Sequence, residues 1–228
     1  MSLLLVWDFD RSFLQDDCEW GTLAKFGLDQ EARKLSQDEF KGRWPALTNE
    51  LWGRLAQDGI TRQQLSARVA ELQPCMQMLR TARAVDAARA RGTPVRQRVL
   101  SDANTEFIRI ILAQLGLQDA VETVVSNPAS WDGERLRVEP LLGDGVADGL
   151  PATLRTEHCP PNLAKGAVLA SWLADEPELA ASTVVYIGDG KGDFGAAVQL
   201  REDDVLCARE GETLFGGNTL YSIFSGGG

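Results

Sequence analysis

The sequence predicts an α/β fold in which a parallel sheet carries a helical insertion after its first strand. Residues 3–7 form a continuous apolar run, which is typical of a strand buried on both faces of a sheet. Two further runs of strand character, residues 95–100 and residues 183–187, also end in polar residues. From residue 17 to about residue 90 no strand pattern occurs, and the spacing of apolar residues favours several helices.

The helical insertion is divided by residues that break or begin helices. They are Gly27-Leu28-Asp29, Pro45, Gly59-Ile60-Thr61 and Pro74. We therefore expect a sheet domain made of residues 1–14 and 76–228, with a helical cap at residues 15–75.

The first strand leads directly into Asp8-Phe9-Asp10. Side chains alternate along a strand, so the two carboxylates are expected on the same side of the strand end. Two like charges so close together are costly unless a cation or a proton lies between them. The Asp-x-Asp pair therefore predicts a metal site, an acid/base role, or both.

The ends of the other predicted strands supply partners for this pair. Ser101 and Asp102 follow the second run, Asp189 and Asp193 follow the third, and Lys165 stands at the start of a helical pattern. In open α/β sheets, ligands bind outside the carboxyl ends of the strands. We expect one edge of the sheet to collect these carboxylates, the hydroxyl and the cation.

Four short segments occur in a characteristic order along the chain. They are Asp8-Phe9-Asp10, Ser101-Asp102-Ala103-Asn104-Thr105, Cys159-Pro160-Pro161-Asn162 with Lys165, and Gly188-Asp189-Gly190 with Asp193-Phe194. Together they resemble the haloacid dehalogenase-like phosphatases, and within them the phosphoethanolamine/phosphocholine phosphatase subfamily. The resemblance runs from residue 3 to about residue 200 and implies a Rossmann-like parallel sheet core with an inserted helical cap.

Three positions depart from the family pattern. Ser12 stands where the family usually has Thr, and Gly192 precedes Asp193 where Asn is usual. Glu19 stands where the phosphocholine-type enzymes have Asp. The first two changes leave the chemistry intact, whereas the third bears on the substrate.

The resemblance implies a covalent, metal-assisted reaction. Asp8 would attack phosphorus and form an aspartyl-phosphate, and Asp10 would act as general acid and then general base. Mg²⁺ would be held by Asp8, the backbone carbonyl of Asp10 and Asp189. Asp193 would fix the lysine or a metal-bound water.

The resemblance also implies how the substrate is held. Ser101 and Lys165 would bind the phosphoryl oxygens. Glu19 and Asp102 would read the head group, with Trp20 adding a cation–π contact. Two carboxylates favour an amine-bearing head, as in phosphoethanolamine or phosphocholine, while pyridoxal phosphate, thiamine phosphate and pyrophosphate remain alternatives within the family.

A signalling receiver module is an alternative of another class. Receivers also phosphorylate an aspartate, bind Mg²⁺ and use a hydroxyl and a lysine. They are about half this length and lack an Asp-x-Asp pair, and Asp10 is placed here to hydrolyse an acyl phosphate. The sequence therefore favours a hydrolase.

Composition narrows the classes of partner. The formal net charge of −10 over 228 residues argues against nucleic acid and anionic membranes, and favours a small phosphorylated metabolite. No apolar run approaches the ~20 residues that a membrane helix requires. The four cysteines form no disulfide framework, so we expect a cytoplasmic protein, monomeric or homodimeric, with an organelle signal removed before residue 1 left open.

Residues 128–157 are rich in Gly, Pro and Asp. They predict a long loop or a small hairpin, for which Asp132-Gly133 is a suitable turn. Whether residues 129–157 gate the site stays open at this point. The single histidine, His158, lies beside Cys159, and one such pair predicts a structural role rather than a zinc site.

Overall fold

The computed structural model describes residues 2–142 and 163–210, and a five-stranded parallel sheet forms its core. The strands span Leu3–Trp7 (β1), Val95–Asn104 (β2), Thr123–Asn127 (β3), Ala129–Asp132 (β4), Arg135–Val138 (β5), Thr183–Gly188 (β6) and Val205–Ala208 (β7). The sheet has the order β3–β2–β1–β6–β7, and its neighbouring strands are all parallel. The predicted α/β fold is confirmed, and the strand that bears Asp8 lies in the middle of the sheet.

Helices occupy both the insertion and the layers around the sheet. They span Cys18–Lys25 (α1), Asp29–Gln37 (α2), Trp44–Gln57 (α3), Arg62–Ala70 (α4), Met76–Ala90 (α5), Thr105–Gln114 (α6), Lys165–Asp175 (α7), Pro177–Ala180 (α8) and Phe194–Ala197 (α9). Two of the predicted signals mark helix starts: Pro45 lies in the first turn of α3, and Thr61 caps α4 with a capping box. None of these helices is long and apolar enough to cross a membrane.

The two ends of the helical insertion lie side by side. Leu14 and Pro74 form an antiparallel bridge, and the Cys75 amide donates to the Phe13 carbonyl at 2.8 Å. The chain therefore leaves and re-enters the sheet domain at nearly the same place. A division into core and cap at this point stays a prediction.

The two faces of the sheet have separate apolar cores. Leu5 and Trp7 of β1 belong to a cluster that continues into α5, α6 and the helical insertion, where Trp52 and Phe107 lie 5.4 Å apart between ring centroids. Leu4 of β1 belongs to the second cluster, together with residues of β6, α7 and α9. Because alternate residues of β1 point to opposite faces, one short strand anchors both layers.

Strand β2 carries two polar residues into this interior. Gln97 accepts a hydrogen bond from Trp7 Nε1 at 3.2 Å on the face of the insertion. Arg98, with a side chain 4% exposed, pairs with Glu122 at 2.6 Å and with Glu176 at 2.7 Å on the opposite face. Both polar side chains are therefore satisfied inside the fold.

Strands β4 and β5 form an antiparallel hairpin. Its turn contains Gly133 with φ of 60°, so the hairpin expected at Asp132-Gly133 is present. Asn49 of α3 accepts from the Val138 amide at 2.7 Å and donates to the Val138 carbonyl at 2.5 Å. The hairpin is thus tied to the helical insertion, whereas residues 143–157 lie outside the described residues and a gating role stays a prediction.

Candidate active site

Asp8 lies at the carboxyl end of β1 and is only 3% exposed. Its amide donates to the Ile187 carbonyl of β6 at 2.8 Å, and the Phe9 amide donates to Asp8 Oδ1 at 2.7 Å. The chain then makes a single turn, Phe9–Phe13, in which Arg11 adopts the left-handed region with φ of 54°. A non-glycine residue seldom adopts this conformation, so the turn that follows Asp8 has a strained backbone.

Lys165, the first residue of α7, is buried against two carboxylates. Its Nζ lies 2.8 Å from Asp8 Oδ1 and 2.7 Å from Asp193 Oδ1, and Asp102 Oδ1 lies 4.0 Å away. Burial alone would lower the pKa of Lys165, but the charges of Asp193 and Asp8 outweigh it and hold the pKa well above its ordinary value. The site therefore contains a fixed positive charge.

Asp193 holds this lysine and is itself fully engaged. Its Oδ1 accepts from Lys165 and from the Tyr186 hydroxyl, each at 2.7 Å. Its Oδ2 accepts from the amides of Asp189 at 3.1 Å and Gly190 at 3.0 Å. Burial opposes ionisation of Asp193, yet Lys165 and these donors keep its pKa below the ordinary value.

Three buried carboxylates meet at the edge of the sheet. Ligand oxygens of Asp8, Asp189 and Asp193 lie within 4.8 Å of one another. Ser12 Oγ donates to Asp189 Oδ1 at 3.1 Å and fixes that side chain. Oxygen donors of this kind are the ligands that Mg²⁺ prefers, so the cluster fits this ion.

The crowding of carboxylates is visible in their pKa values. Burial, and then the charge of Asp193, raises the pKa of Asp8 and of Asp189. Burial, and then the charge of Asp17, raises the pKa of Asp10. A cation between these groups would relieve both the repulsion and the cost of desolvation.

A cavity of about 220 Å³ opens beside the cluster. Its lining includes the predicted site residues Asp8, Asp10, Asp102, Lys165, Asp189 and Asp193. It also includes Arg11, Asp17 and Lys191, for which the sequence predicted no site role. The structure therefore brings these six predicted residues together at one cavity, and their roles in a site stay predictions.

Ser101 and Asp102 lie in the last part of β2. The side-chain amide of Asn127 holds this part of the strand in place. Ser101 is fully buried, and its Oγ accepts from the Ala103 amide at 3.3 Å. Asn127 Nδ2 of β3 donates to the carbonyls of Asp102 at 2.6 Å and Ala103 at 2.9 Å. Ser101 is not part of the cavity lining, whereas the next residue, Asp102, is.

Glu19 and Trp20, the residues expected to read the head group, contact other protein side chains, and their role in binding a substrate stays a prediction. Glu19 is 1% exposed; its Oε1 accepts from Asn104 Nδ2 at 2.8 Å and its Oε2 accepts from Trp44 Nε1. The Trp20 ring packs on Trp44 at 4.8 Å between centroids, with the Arg33 guanidinium 5.1 Å above it. Neither residue is part of the cavity lining among the described residues.

Sequence reasoning missed some contributors to the site. Tyr186 was assigned only to a strand, although a buried tyrosine hydroxyl needs a partner and this requirement could have flagged it. Asp17 caps α1, as an acid before a helix commonly does, and it also lines the cavity. Asn127 carried no sequence signal. The segment Cys159–Asn162 and His158 lie outside the described residues.

Comparison with known proteins agrees with this geometry. Residues 3–217 match the family described as Putative Phosphatase. Pyridoxal phosphate phosphatase PHOSPHO2 of Rattus norvegicus is 28% identical over 219 residues, which cover 94% of this chain and 85% of that protein. Inorganic pyrophosphatase 2 of Arabidopsis thaliana is 27% identical over 213 residues, covering 92% and 71%. A substrate-bound phosphoserine phosphatase superposes with a TM-score of 0.53 at 16% identity, covering 98% of this chain and 97% of that chain.

The fold, the strand-end carboxylates and the family match define the class of protein. The chain belongs to the Putative Phosphatase family, and it is a phosphatase of haloacid dehalogenase-like fold. It is a phosphoric monoester hydrolase that acts on small phosphoesters.

Proposed function

We propose that this phosphatase is Mg²⁺-dependent and hydrolyses small phosphomonoesters through an aspartyl-phosphate at Asp8. The observation that carries the proposal is the buried contact of Asp8 with Lys165 at 2.8 Å, beside the carboxylate of Asp189. A nucleophilic carboxylate, a fixed cation and a candidate metal ligand are the parts that phosphoryl transfer requires.

The residues that would hold Mg²⁺ are Asp8, Asp189 and the backbone carbonyl of Asp10. Asp193 is close enough to be a ligand, but both of its oxygens already accept two hydrogen bonds each. We therefore assign Asp193 to the support of Lys165 and of the metal surroundings. When bound, Mg²⁺ supplies positive charge against the phosphoryl oxygens.

The reaction proceeds in two steps on residues of this chain. Asp8 attacks phosphorus and forms the acyl-phosphate bond while the ester P–O bond breaks, and Asp10 gives its proton to the leaving oxygen. Asp10 then takes a proton from the water that attacks the aspartyl-phosphate, which releases inorganic phosphate and regenerates Asp8. The Cys18 amide donates to Asp10 Oδ1 at 2.9 Å and orients this carboxyl for both transfers.

Lys165 and Ser101 bind the phosphoryl oxygens in this proposal. Lys165 is held in place by Asp193, which Tyr186 holds in turn, so its charge is fixed before substrate arrives. The Ser101 hydroxyl supplies a donor from the end of β2. Residues 15–75 act as a cap that excludes water from the reacting groups.

The preferred substrate in this proposal bears an amine, as phosphoethanolamine and phosphocholine do. Support comes from Asp102, which lines the cavity and whose Oδ1 lies 4.0 Å from Lys165 Nζ, because its carboxylate offers negative charge to a cationic head group. A second candidate is pyrophosphate, because Arg11 and Lys191 also line the cavity and offer positive charge to a second phosphate. Pyridoxal phosphate and thiamine phosphate are further candidate substrates. A cytoplasmic location and a monomeric or homodimeric state also belong to the proposal.

The test is Mg²⁺-dependent release of phosphate from a panel of substrates. The panel holds phosphoethanolamine, phosphocholine, pyridoxal phosphate, thiamine monophosphate, pyrophosphate and a sugar phosphate. We expect the two amine-bearing esters to rank first and release to stop on chelation of Mg²⁺. A ranking led by pyrophosphate would replace the amine proposal with the second candidate.

The control variants are Asp8→Asn and Asp16→Asn. Asp8→Asn keeps the shape of the nucleophile and removes its charge, so release should fall to background. Asp16 is an exposed carboxylate in the same part of the chain, and its substitution should leave release intact. Full activity in Asp8→Asn would refute the aspartyl-phosphate.

A further inference from the structure

Two carboxylates at the start of α1, two positions apart, have opposite surroundings. Asp17 lines the cavity beside the catalytic groups, whereas Glu19 does not. At the start of α1, the Asp17 side chain therefore borders the cavity, whereas the Glu19 side chain is buried in the protein.

Both oxygens of Glu19 are occupied by protein donors. Asn104 Oδ1 accepts from the Phe107 amide at 2.9 Å, so the Asn104 amide group must be the donor toward Glu19. The Trp44 indole can only donate. Glu19 is 1% exposed and Asn104 is fully buried, so the Glu19 carboxylate is enclosed by protein and held by these two donors.

Asp17 has an oxygen to offer. Its Oδ1 accepts from the amides of Glu19 at 3.0 Å and Trp20 at 2.9 Å, which caps the helix. Among the described residues its Oδ2 has no hydrogen-bond partner. Asp102 lines the same cavity with a side chain 42% exposed, so two carboxylates border the space next to the phosphate site.

We propose that Asp17, together with Asp102, reads the cationic head group of the substrate, and that Glu19 is a positioning residue. Through Asn104, Glu19 holds the end of the β2 segment that carries Ser101 and Asp102. An ammonium group has three donors and can be shared between two carboxylates. The inference rests on the proposed amine-bearing substrate and names the residues that select it.

The test compares phosphoethanolamine with propyl phosphate, in which a methyl group replaces the ammonium group. The ratio of kcat/KM for the two esters measures how strongly the charge is read. Asp17→Asn keeps a good helix cap and removes only the charge, so we expect the ratio to fall at least about tenfold. Asp102→Asn should lower the ratio in the same direction.

Glu19→Gln is expected to behave differently. It should lower kcat for both esters and leave their ratio within about twofold, since a positioning residue acts on the shared phosphate site. The double variant Glu19→Gln/Asn104→Asp reverses donor and acceptor: the new amide group at position 19 donates to the new carboxylate at position 104, and the amide oxygen still accepts from Trp44. We expect this swap to restore kcat, which a purely steric role of position 19 would not predict.

The possible failures are distinguishable. A ratio that collapses in Glu19→Gln and survives in Asp17→Asn would overturn the inference and return the head group to Glu19. Hydrolysis of both esters by the parent protein with a ratio near one would also overturn it, while leaving the phosphatase reaction standing. No phosphate release from any phosphomonoester would refute the proposed function itself, and the inference with it.

Discussion

Replacing Glu19 by Gln is expected to reverse the order of stability between acidic and alkaline pH. Gln has one acceptor oxygen, but two donors, Asn104 Nδ2 and Trp44 Nε1, meet this side chain. One buried N–H would then face the Gln amide group without an acceptor, which costs about 1–3 kcal/mol. Near pH 5 the variant should be less stable than the parent by about this amount.

At higher pH it is the parent protein that loses stability, because its Glu19 must ionise while buried. Burial, and then the charge of Asp17, raises the pKa of Glu19 from 4.5 to about 8, although Asn104 and Trp44 donate to it. The unfolded chain loses this proton near 4.5 and the folded chain keeps it to about 8. The stability that this group contributes is therefore complete below 4.5 and is lost as the pH rises to about 8. At about 1.4 kcal/mol per pH unit the interval corresponds to roughly 5 kcal/mol, and Gln does not titrate.

The assay is urea unfolding of both proteins at intervals from about pH 5 to about pH 9. All other ionisable groups are shared, so the difference between the two curves reports Glu19 together with its coupling to Asp17 and Cys18. Glu39→Gln, at an exposed position, serves as the control and should follow the parent throughout. A deficit of the Glu19→Gln protein that stays constant or grows with pH would refute the reasoning.

Three further substitutions test the surroundings of the lysine. Gly166→Ala would place a Cβ 2.3 Å from the Gly195 carbonyl oxygen, so we expect a loss of about 1–3 kcal/mol in urea unfolding; an unchanged midpoint would contradict this contact. Tyr186→Phe removes a donor from Asp193 and should cost about 0.5–1.5 kcal/mol and reduce kcat, whereas wild-type kcat would show that the hydroxyl is dispensable. Lys165→Met leaves buried carboxylates without their cation and should cost about 3–5 kcal/mol, together with loss of phosphate release; a stable, active variant would exclude the assigned role.

The strands and the residues at their ends were readable from the sequence because burial on both faces leaves a continuous apolar run. Residues 3–7 coincide with β1, and the polar residues after each run meet at one sheet edge because parallel strands end together. The second strand was predicted to end at residue 100, which is too early. β2 continues through Ser101 to Asn104 across a register shift after Leu100, and a polar segment of this kind gives no apolar signal.

The environment of Glu19 was beyond sequence reasoning for a different reason. Its two donors, Trp44 and Asn104, lie 25 and 85 positions away along the chain. No local sequence pattern predicts that they contact it. Tyr186 differs, because its partner Asp193 is only seven positions away and a buried hydroxyl needs an acceptor, but the apolar strand pattern alone does not identify that partner. Residue type predicted that acids gather at the site, whereas the three-dimensional packing decides which acid faces the cavity.

The polar pair inside β2 has a consequence for how the chain finds its alignment. Gln97 and Arg98 are adjacent, so they project from opposite faces, and each has its partners on one face only. A slip of β2 by one residue would exchange them and bury a guanidinium without its two glutamates, at a cost of several kcal/mol. An apolar strand alone would tolerate such a slip far better. Two interior polar side chains therefore exclude the wrong alignment, and in doing so they set how far Ser101 lies along the edge from Asp8.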